Sequence, residues 1–170
     1  MKTLSAGILF FSWCLLFSSP SFGLNQGQDQ PTDISSHKMT YSGQDNLVVF
    51  KGNVHVLRPD FQLWSDELHV FLKPGPDSDS PGQQENIEKI VASGNVRIQS
   101  NDRTGYSQLL TYFPDTGTAR LEDNPRLVEG QNSVEGETII LNMNENTSEV
   151  LGGPEKRVRV IFHSESSAGE

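Results

Sequence analysis

The chain has 170 residues, with 13 Lys and Arg against 22 Asp and Glu, and its formal net charge is −9 at pH 7. An acidic protein is a poor candidate for binding nucleic acid, because neutralising phosphates requires a basic surface. The length suits one domain with a substantial core, and a single cysteine excludes an internal disulfide framework.

The first 23 residues are typical of a cleavable signal peptide. Lys2 supplies the positive start, an apolar run extends from Ala6 to Phe17, and small residues end the segment at Gly23. The run is shorter than the roughly 20 apolar residues of a transmembrane helix. We therefore predict cleavage after residue 23, with an uncleaved anchor extending to Phe22 as the alternative.

Polar stretches are predicted to lie on both sides of the folded region and within it. Residues 24–33 have no apolar periodicity and suit a flexible leader, and residues 163–170 suit a disordered tail. The stretch from Pro74 to Asn86 is rich in Pro, Gly, Ser and Asp, which favours an inserted loop.

The region between the leader and the tail repeats a two-strand unit. The offset from Gly94 to Asp123 is 29 residues, and the offset from Asp123 to Gly152 is the same. A fixed period of this size indicates stacked supersecondary units that share one core. The copies of the repeated motif are Phe50–Val56, Ala92–Ile98, Leu121–Leu127 and, more weakly, Val150–Pro154.

Each copy alternates apolar and polar residues, which is the period of a β-strand. Val54 and Val56 flank His55, and Val96 and Ile98 flank Arg97. Turn-forming residues recur at 44–46, 115–117 and 145–147, as expected for hairpins. No segment of ten or more residues has a convincing helical period. We predict an all-β domain of short antiparallel strands, as a sandwich, a jelly roll or an open solenoid.

The inward side chains of these strands allow two interpretations. If two sheets close on each other, the residues form an ordinary core about 10 Å thick. If the sheets splay, the same residues line an apolar groove along the protein. Alternation does not separate the two. The candidate groove residues are Val48, Phe50, Val54, Val56, Leu68, Val70, Ile90, Val96, Ile98, Leu110, Tyr112, Leu121, Leu127, Ile139 and Leu141.

The first and last copies of the repeat are candidate sheet edges. The first runs from Ile34 to Tyr41, and the last from Val158 to Phe162. Edges are either protected within the chain or open to strands from partners. The candidate edge residues are Ile34, Met39, Tyr41, Val158, Val160 and Phe162.

Several phrases in this order resemble the LptA/OstA family of periplasmic lipopolysaccharide transport proteins. They lie at residues 47–54, 64–68, 87–98, 112–117 and 157–160. The resemblance covers residues 34–162. Two departures stand out, because the insertion from Pro74 to Asn86 is long and Pro125 takes an apolar strand position.

The resemblance implies an open β-jellyroll in the periplasm that shields the acyl chains of lipid A in its interior. It also implies strand addition at the ends, to an LptC-like inner-membrane protein, to an LptD-like outer-membrane translocon, or to further copies in a head-to-tail oligomer. Anionic headgroups are expected to project into solvent. The alternatives are the LptC-type component, which shares the fold but usually keeps its anchor, and a closed-core structural module without a lipid ligand.

Residue patterns for catalysis or metal binding are weak. The four histidines show no close metal-ligand spacing, and no Gly-rich phosphate loop precedes a helix. Asp66 and Glu67 suit the carboxylate pair of a glycan-cleaving β-solenoid. The equivalent pairs in other copies are Gln108-Leu109 and Glu137-Thr138, which favours a surface role. We predict no enzyme activity, no cofactor and no metal.

Overall fold

The computed structural model describes residues 32–74, 87–154 and 156–163. The predicted signal peptide (residues 1–23), nearly all of the predicted leader, residues 75–86 of the insertion and residues 164–170 of the tail lie outside the described residues.

The described residues form antiparallel strands without a helix, which confirms the all-β prediction. In this part of the chain no helix is long and apolar enough to span a membrane. The strands are β1 (Asp33–Ser35), β2 (Lys38–Ser42), β3 (Leu47–Leu57), β4 (Gln62–Leu72), β5 (Ile87–Ser100), β6 (Arg103–Phe113), β7 (Thr118–Glu122), β8 (Arg126–Glu129), β9 (Asn132–Glu135), β10 (Thr138–Asn142), β11 (Thr147–Leu151) and β12 (Arg159–Ile161).

The repeated Gly-Asn motif bends the long strands. Gly52 and Asn53 have φ angles of 83° and 48°, and Gly94 and Asn95 have φ angles of 76° and 48°. Glycine and asparagine adopt this left-handed region at the lowest cost. The pairing register shifts beside each bend, between Lys51 and Val54 and between Ser93 and Val96. Such bulges bend a strand, so each long strand contributes to two layers.

We call these layers the first sheet and the second sheet. The first sheet contains β2, the first half of β3, the second half of β4, the first half of β5, the second half of β6, β7, β10 and β11. The second sheet contains β1, the other halves of β3 to β6, β8, β9 and β12. One apolar cluster joins both sheets, as in the predicted β-jellyroll.

Two details differ from the sequence prediction. The segment from Ile34 to Tyr41 forms two strands, β1 and β2, because its neighbour β3 bends between the two sheets and the segment follows both halves. Pro125 lies between β7 and β8 and is fully buried. It follows the bend at Asp123 and Asn124, where no ladder hydrogen bond is needed from its missing N–H.

Candidate functional site

The inward side chains form continuous rows that cross the strands. The first-sheet outer row consists of Tyr41, Val48, Val70, Ile90, Tyr112, Ala119, Leu141 and Ser148. The middle row consists of Met39, Phe50, Leu68, Ala92, Leu110, Leu121, Ile139 and Val150. The second-sheet row consists of Ile34, Val56, Leu63, Ile98, Gly105, Leu127, Val134 and Val160.

All the candidate groove residues belong to the cluster that joins the two sheets or pack against it. Val54 and Val96 complete the set near the bends, where they pair with Ser65 and Ser107. The sequence missed Leu63 and Leu72, which are 4% and 3% exposed. Leu63 precedes the bulge between Trp64 and Glu67, where β4 reverses its inward parity, so alternation from Leu68 does not reach it; Leu72 lies in phase with Leu68 and Val70.

Burial divides the candidate groove residues into two groups. Val48, Val54, Val56, Leu68, Val70, Val96, Ile98, Leu110, Leu121 and Ile139 are buried. The central part of the middle row, from Leu68 to Ile139, is therefore packed like an ordinary core. Accessible apolar surface in the interior is contributed by the half-buried members, which are Phe50, Ile90, Tyr112, Leu127 and Leu141.

Tyr112 is a half-buried residue of the first sheet whose hydroxyl is affected by charges on the second sheet. Burial raises the pKa of its hydroxyl; the charge of Arg58 lowers that pKa and the charge of Asp60 raises it. Tyr112 belongs to the first sheet, whereas Arg58 and Asp60 belong to the β3–β4 turn of the second sheet. The turn therefore lies close enough to Tyr112 for its charges to act on the hydroxyl.

The β3–β4 turn is held by its own contacts. The Arg58 N–H donates to the Phe61 carbonyl at 3.0 Å, and Arg58 Nε donates to Asp60 Oδ1 at 3.1 Å. The guanidinium also lies 5.4 Å from the centre of the Phe61 ring. Phe61 packs against the apolar cluster, and Ser100 Oγ donates to the Asp60 carbonyl at 2.9 Å.

Among the described residues, the strands at the two ends of the array each pair with a single strand. Exposed apolar side chains lie on or beside these end strands. β1 and β2 pair with β3, where Ile34 is half-buried and Met39 and Tyr41 are exposed. At the other end, β11 pairs with β10 and β12 pairs with β9. Val158 and Phe162 flank β12 rather than belonging to it, and the exposed apolar residues at this end are Leu151, Val158, Val160 and Phe162.

The carboxylates considered for catalysis make cross-strand contacts. Glu67 accepts hydrogen bonds from Lys51 Nζ at 2.9 Å and His69 Nε2 at 3.0 Å, and these bonds lower the pKa of Glu67. Asp66 Oδ2 accepts from Asn95 Nδ2 at 2.8 Å. Within the described ranges, no group of three or more His, Cys, Asp or Glu is arranged to hold a metal ion.

Comparison with known proteins assigns the architecture to a family. Residues 33–147 match the family described as LptA/(LptD N-terminal domain) LPS transport protein. The chain belongs to this family. It is 24% identical over 165 residues to the lipopolysaccharide export system protein LptA of Escherichia coli strain K12. This alignment covers 94% of this chain and 85% of that protein. LptA of Haemophilus influenzae is 22% identical over 165 residues, covering 95% of this chain and 94% of its own.

The crystal structure of LptH, the LptA-homologous periplasmic component of lipopolysaccharide transport from Pseudomonas aeruginosa, has the same fold. Its TM-score with this chain is 0.66 at 15% sequence identity, and the match covers 79% of this chain and 96% of LptH.

Proposed function

We propose that the protein binds lipopolysaccharide in the periplasm, shields its acyl chains between the two sheets and passes it between inner- and outer-membrane export complexes. The observation that carries the proposal is the set of apolar rows, which run from the β1–β2 edge to the β11–β12 edge without interruption by a charged side chain. Membership of a lipopolysaccharide transport family supports it.

The physical advantage of such a path lies in the apolar area of the lipid. Several acyl chains exposed to water cost tens of kcal/mol at about 25 cal/mol per Å². An apolar path that replaces water removes most of this cost by binding alone, which is transport without a chemical step. Because the rows repeat from strand to strand, affinity changes little along the path and the lipid can slide.

Both ends of the array are suited to strand addition. The edge at β1 and β2 is the proposed contact for an LptC-like inner-membrane protein, and the edge at β11 and β12 for an LptD-like outer-membrane translocon. A second copy can use the same edges in a head-to-tail oligomer. Exposed Met39 at one end and exposed Val160 and Phe162 at the other would be covered in these contacts.

One observation favours a second candidate, a closed structural module without a lipid ligand. The middle row is packed from Leu68 to Ile139, and Leu121 and Ile139 are 0% exposed. In the transport proposal, acyl chains therefore enter along the first-sheet outer row, where Ile90, Tyr112 and Leu141 are half-buried. An LptC-type role within the same machinery would differ in the N-terminal segment, which lies outside the described residues.

Photo-crosslinking to lipopolysaccharide in cells tests the proposal. A photoreactive residue replaces Ile90, which is inward, and in a separate variant Val91, which is outward; both lie on β5 and are half-buried. We expect lipid adducts at position 90 and none at position 91. Absence of adducts at both positions in a folded protein would favour the closed module, and equal adducts at both would indicate nonspecific lipid contact.

A further inference from the structure

The two walls of the candidate groove end in chemically different margins. Along the first-sheet outer row the inward side chains from Tyr41 to Leu141 are apolar or aromatic, as in Val70, Ile90 and Leu141. On the second sheet, strand alternation continues beyond the second-sheet row into residues at the hairpin ends. These residues, which we call the polar lip, are Arg58, Phe61, Ser100, Arg103 and Glu129.

The polar lip is continuous across strands. Arg58 pairs with Phe61 through a backbone hydrogen bond, and Ser100 reaches the Asp60 carbonyl in the same turn. Ser100 pairs with Arg103, which pairs with Glu129. Because neighbouring strands lie about 4.8 Å apart, the backbones at Arg58 and Arg103 are roughly 14 Å apart along the mouth.

Both arginines of the polar lip are held by carboxylates that can be replaced. The Arg58 side chain is 17% exposed, whereas its partner Asp60 is 61% exposed at 3.1 Å. Arg103 pairs with Glu129 at 3.1 Å, and their side chains are 45% and 48% exposed. The Arg103–Glu129 pair is exposed and contributes little stability, and Asp60 is itself exposed to solvent, so an incoming dianion can reach and displace either carboxylate.

Arginine suits one class of anion in particular. Its planar fork binds phosphate or carboxylate oxygens through two parallel hydrogen bonds. Tyr112 lies across the mouth within electrostatic range of Arg58, and its neutral hydroxyl can donate a further hydrogen bond. The chain as a whole carries a net charge of −9 and therefore does not attract anions in general. The arginines at this margin are a local exception to that charge.

We propose that the polar lip is a headgroup site, in which Arg58, assisted by Tyr112, binds a phosphate group of the lipid whose acyl chains lie against the first sheet, and Arg103 faces a second anionic group of the same headgroup. This inference rests on the proposed function. It fixes the orientation of the lipid across the groove and replaces the expectation that all anionic headgroups project freely into solvent. Arg58 then exchanges Asp60 for the lipid phosphate on loading.

The test compares purified lipopolysaccharide with the same material after enzymatic removal of its phosphates. The variant is Arg58→Gln, and the matched control is Arg120→Gln, which removes the same charge from an outward-facing arginine paired with Glu122 at 3.1 Å. We expect Arg58→Gln to weaken binding of the phosphorylated lipid about tenfold, since one charge-assisted hydrogen-bond pair is lost. Binding of the dephosphorylated lipid, and both affinities of the control, should not change.

Two further variants separate recognition from folding. If Arg58→Gln does not fold, Arg103→Gln tests the preference for the phosphorylated lipid in its place, because Arg103 is exposed enough to be replaced without unfolding. We expect Arg103→Gln to lower that preference. Asp60→Asn should strengthen binding of the phosphorylated lipid, because it removes the competing carboxylate.

The outcomes distinguish this inference from the proposed function. Failure of the unsubstituted protein to bind either lipid would overturn both. Equal binding of the two lipids by the unsubstituted protein, or an equal loss for both in Arg58→Gln, would overturn the headgroup site and leave acyl-chain binding intact.

Discussion

Asp66 of β4 occupies the space beside Gly94 of β5 that a side chain at position 94 would need. A Cβ atom built on Gly94 overlaps the Asp66 carboxylate and would lie 2.9 Å from Asp66 Cβ, while Asp66 Oδ2 accepts a hydrogen bond from Asn95 at 2.8 Å. The bend in β5 and the carboxylate on β4 therefore depend on each other. This contact holds the strand where it passes from one sheet to the other.

Substituting Gly94→Ala should destabilise the protein by at least about 2 kcal/mol. The alanine would hold an unfavourable φ of 76° and displace Asp66. The free energy of unfolding in denaturant measures the loss. Gly130→Ala is the control, because Gly130 has a φ of 58° but nothing within 4 Å of its added Cβ, so only the backbone cost of about 1 kcal/mol applies. Equal losses at the two glycines would contradict the contact.

Two buried serines near the bends should respond in opposite ways to replacement by alanine. Ser65 and Ser107 are each 5% exposed. Ser65 Oγ donates to the Glu67 carbonyl at 2.9 Å, whereas Ser107 Oγ is buried without a partner among the described residues. We expect Ser65→Ala to lose about 1 kcal/mol and Ser107→Ala to be neutral or stabilising by about 1 kcal/mol. Thermal unfolding of both variants in parallel checks the sign, and a loss at Ser107 would show that its hydroxyl has a role.

The strand alternation predicted the inward residues of β3 and β5, because both strands keep their parity on the two sides of the Gly-Asn bend. It missed Leu63 of β4, which lies before the bulge that changes the parity, and Leu72, which lies in phase with Leu68 and Val70. It also treated the first edge as one strand, although a segment beside a bent strand must divide to follow both halves. The sequence did not predict the polar lip, because Arg58 and Arg103 are far apart in the chain. Pairing of the four strands β3 to β6 brings them to the same margin.

Alkaline pH should destabilise the protein partly through Tyr112. Burial raises the folded-state pKa of Tyr112 above its ordinary value of 10.0. As the pH rises above 10, the tyrosine ionises first in the unfolded chain, so the stability it contributes is lost between that pH and the folded pKa. We expect Tyr112→Phe to flatten this part of the stability profile. The chain has three tyrosines, and an ultraviolet titration should show an ionisation step at a pH above 10. Loss of this step in Tyr112→Phe would assign it to Tyr112.

Charges placed at the last edge should weaken association between chains without unfolding them. Val160 and Phe162 are 46% and 79% exposed, so Val160→Asp and Phe162→Asp remove little from the core. If a strand from a second copy covers them, each substitution loses apolar burial worth about 1.5–3 kcal/mol, which is a tenfold or greater loss of affinity. Sedimentation over a range of concentrations measures the association.

The control for this edge is Phe113→Asp, since Phe113 is 39% exposed at the end of β6 and away from both edges. Association that is unchanged in all three variants would mean that the apolar surface at β12 is not an interface. A loss in Phe113→Asp as large as in Phe162→Asp would place the contact at the hairpins, and strand addition at the last edge would then be wrong.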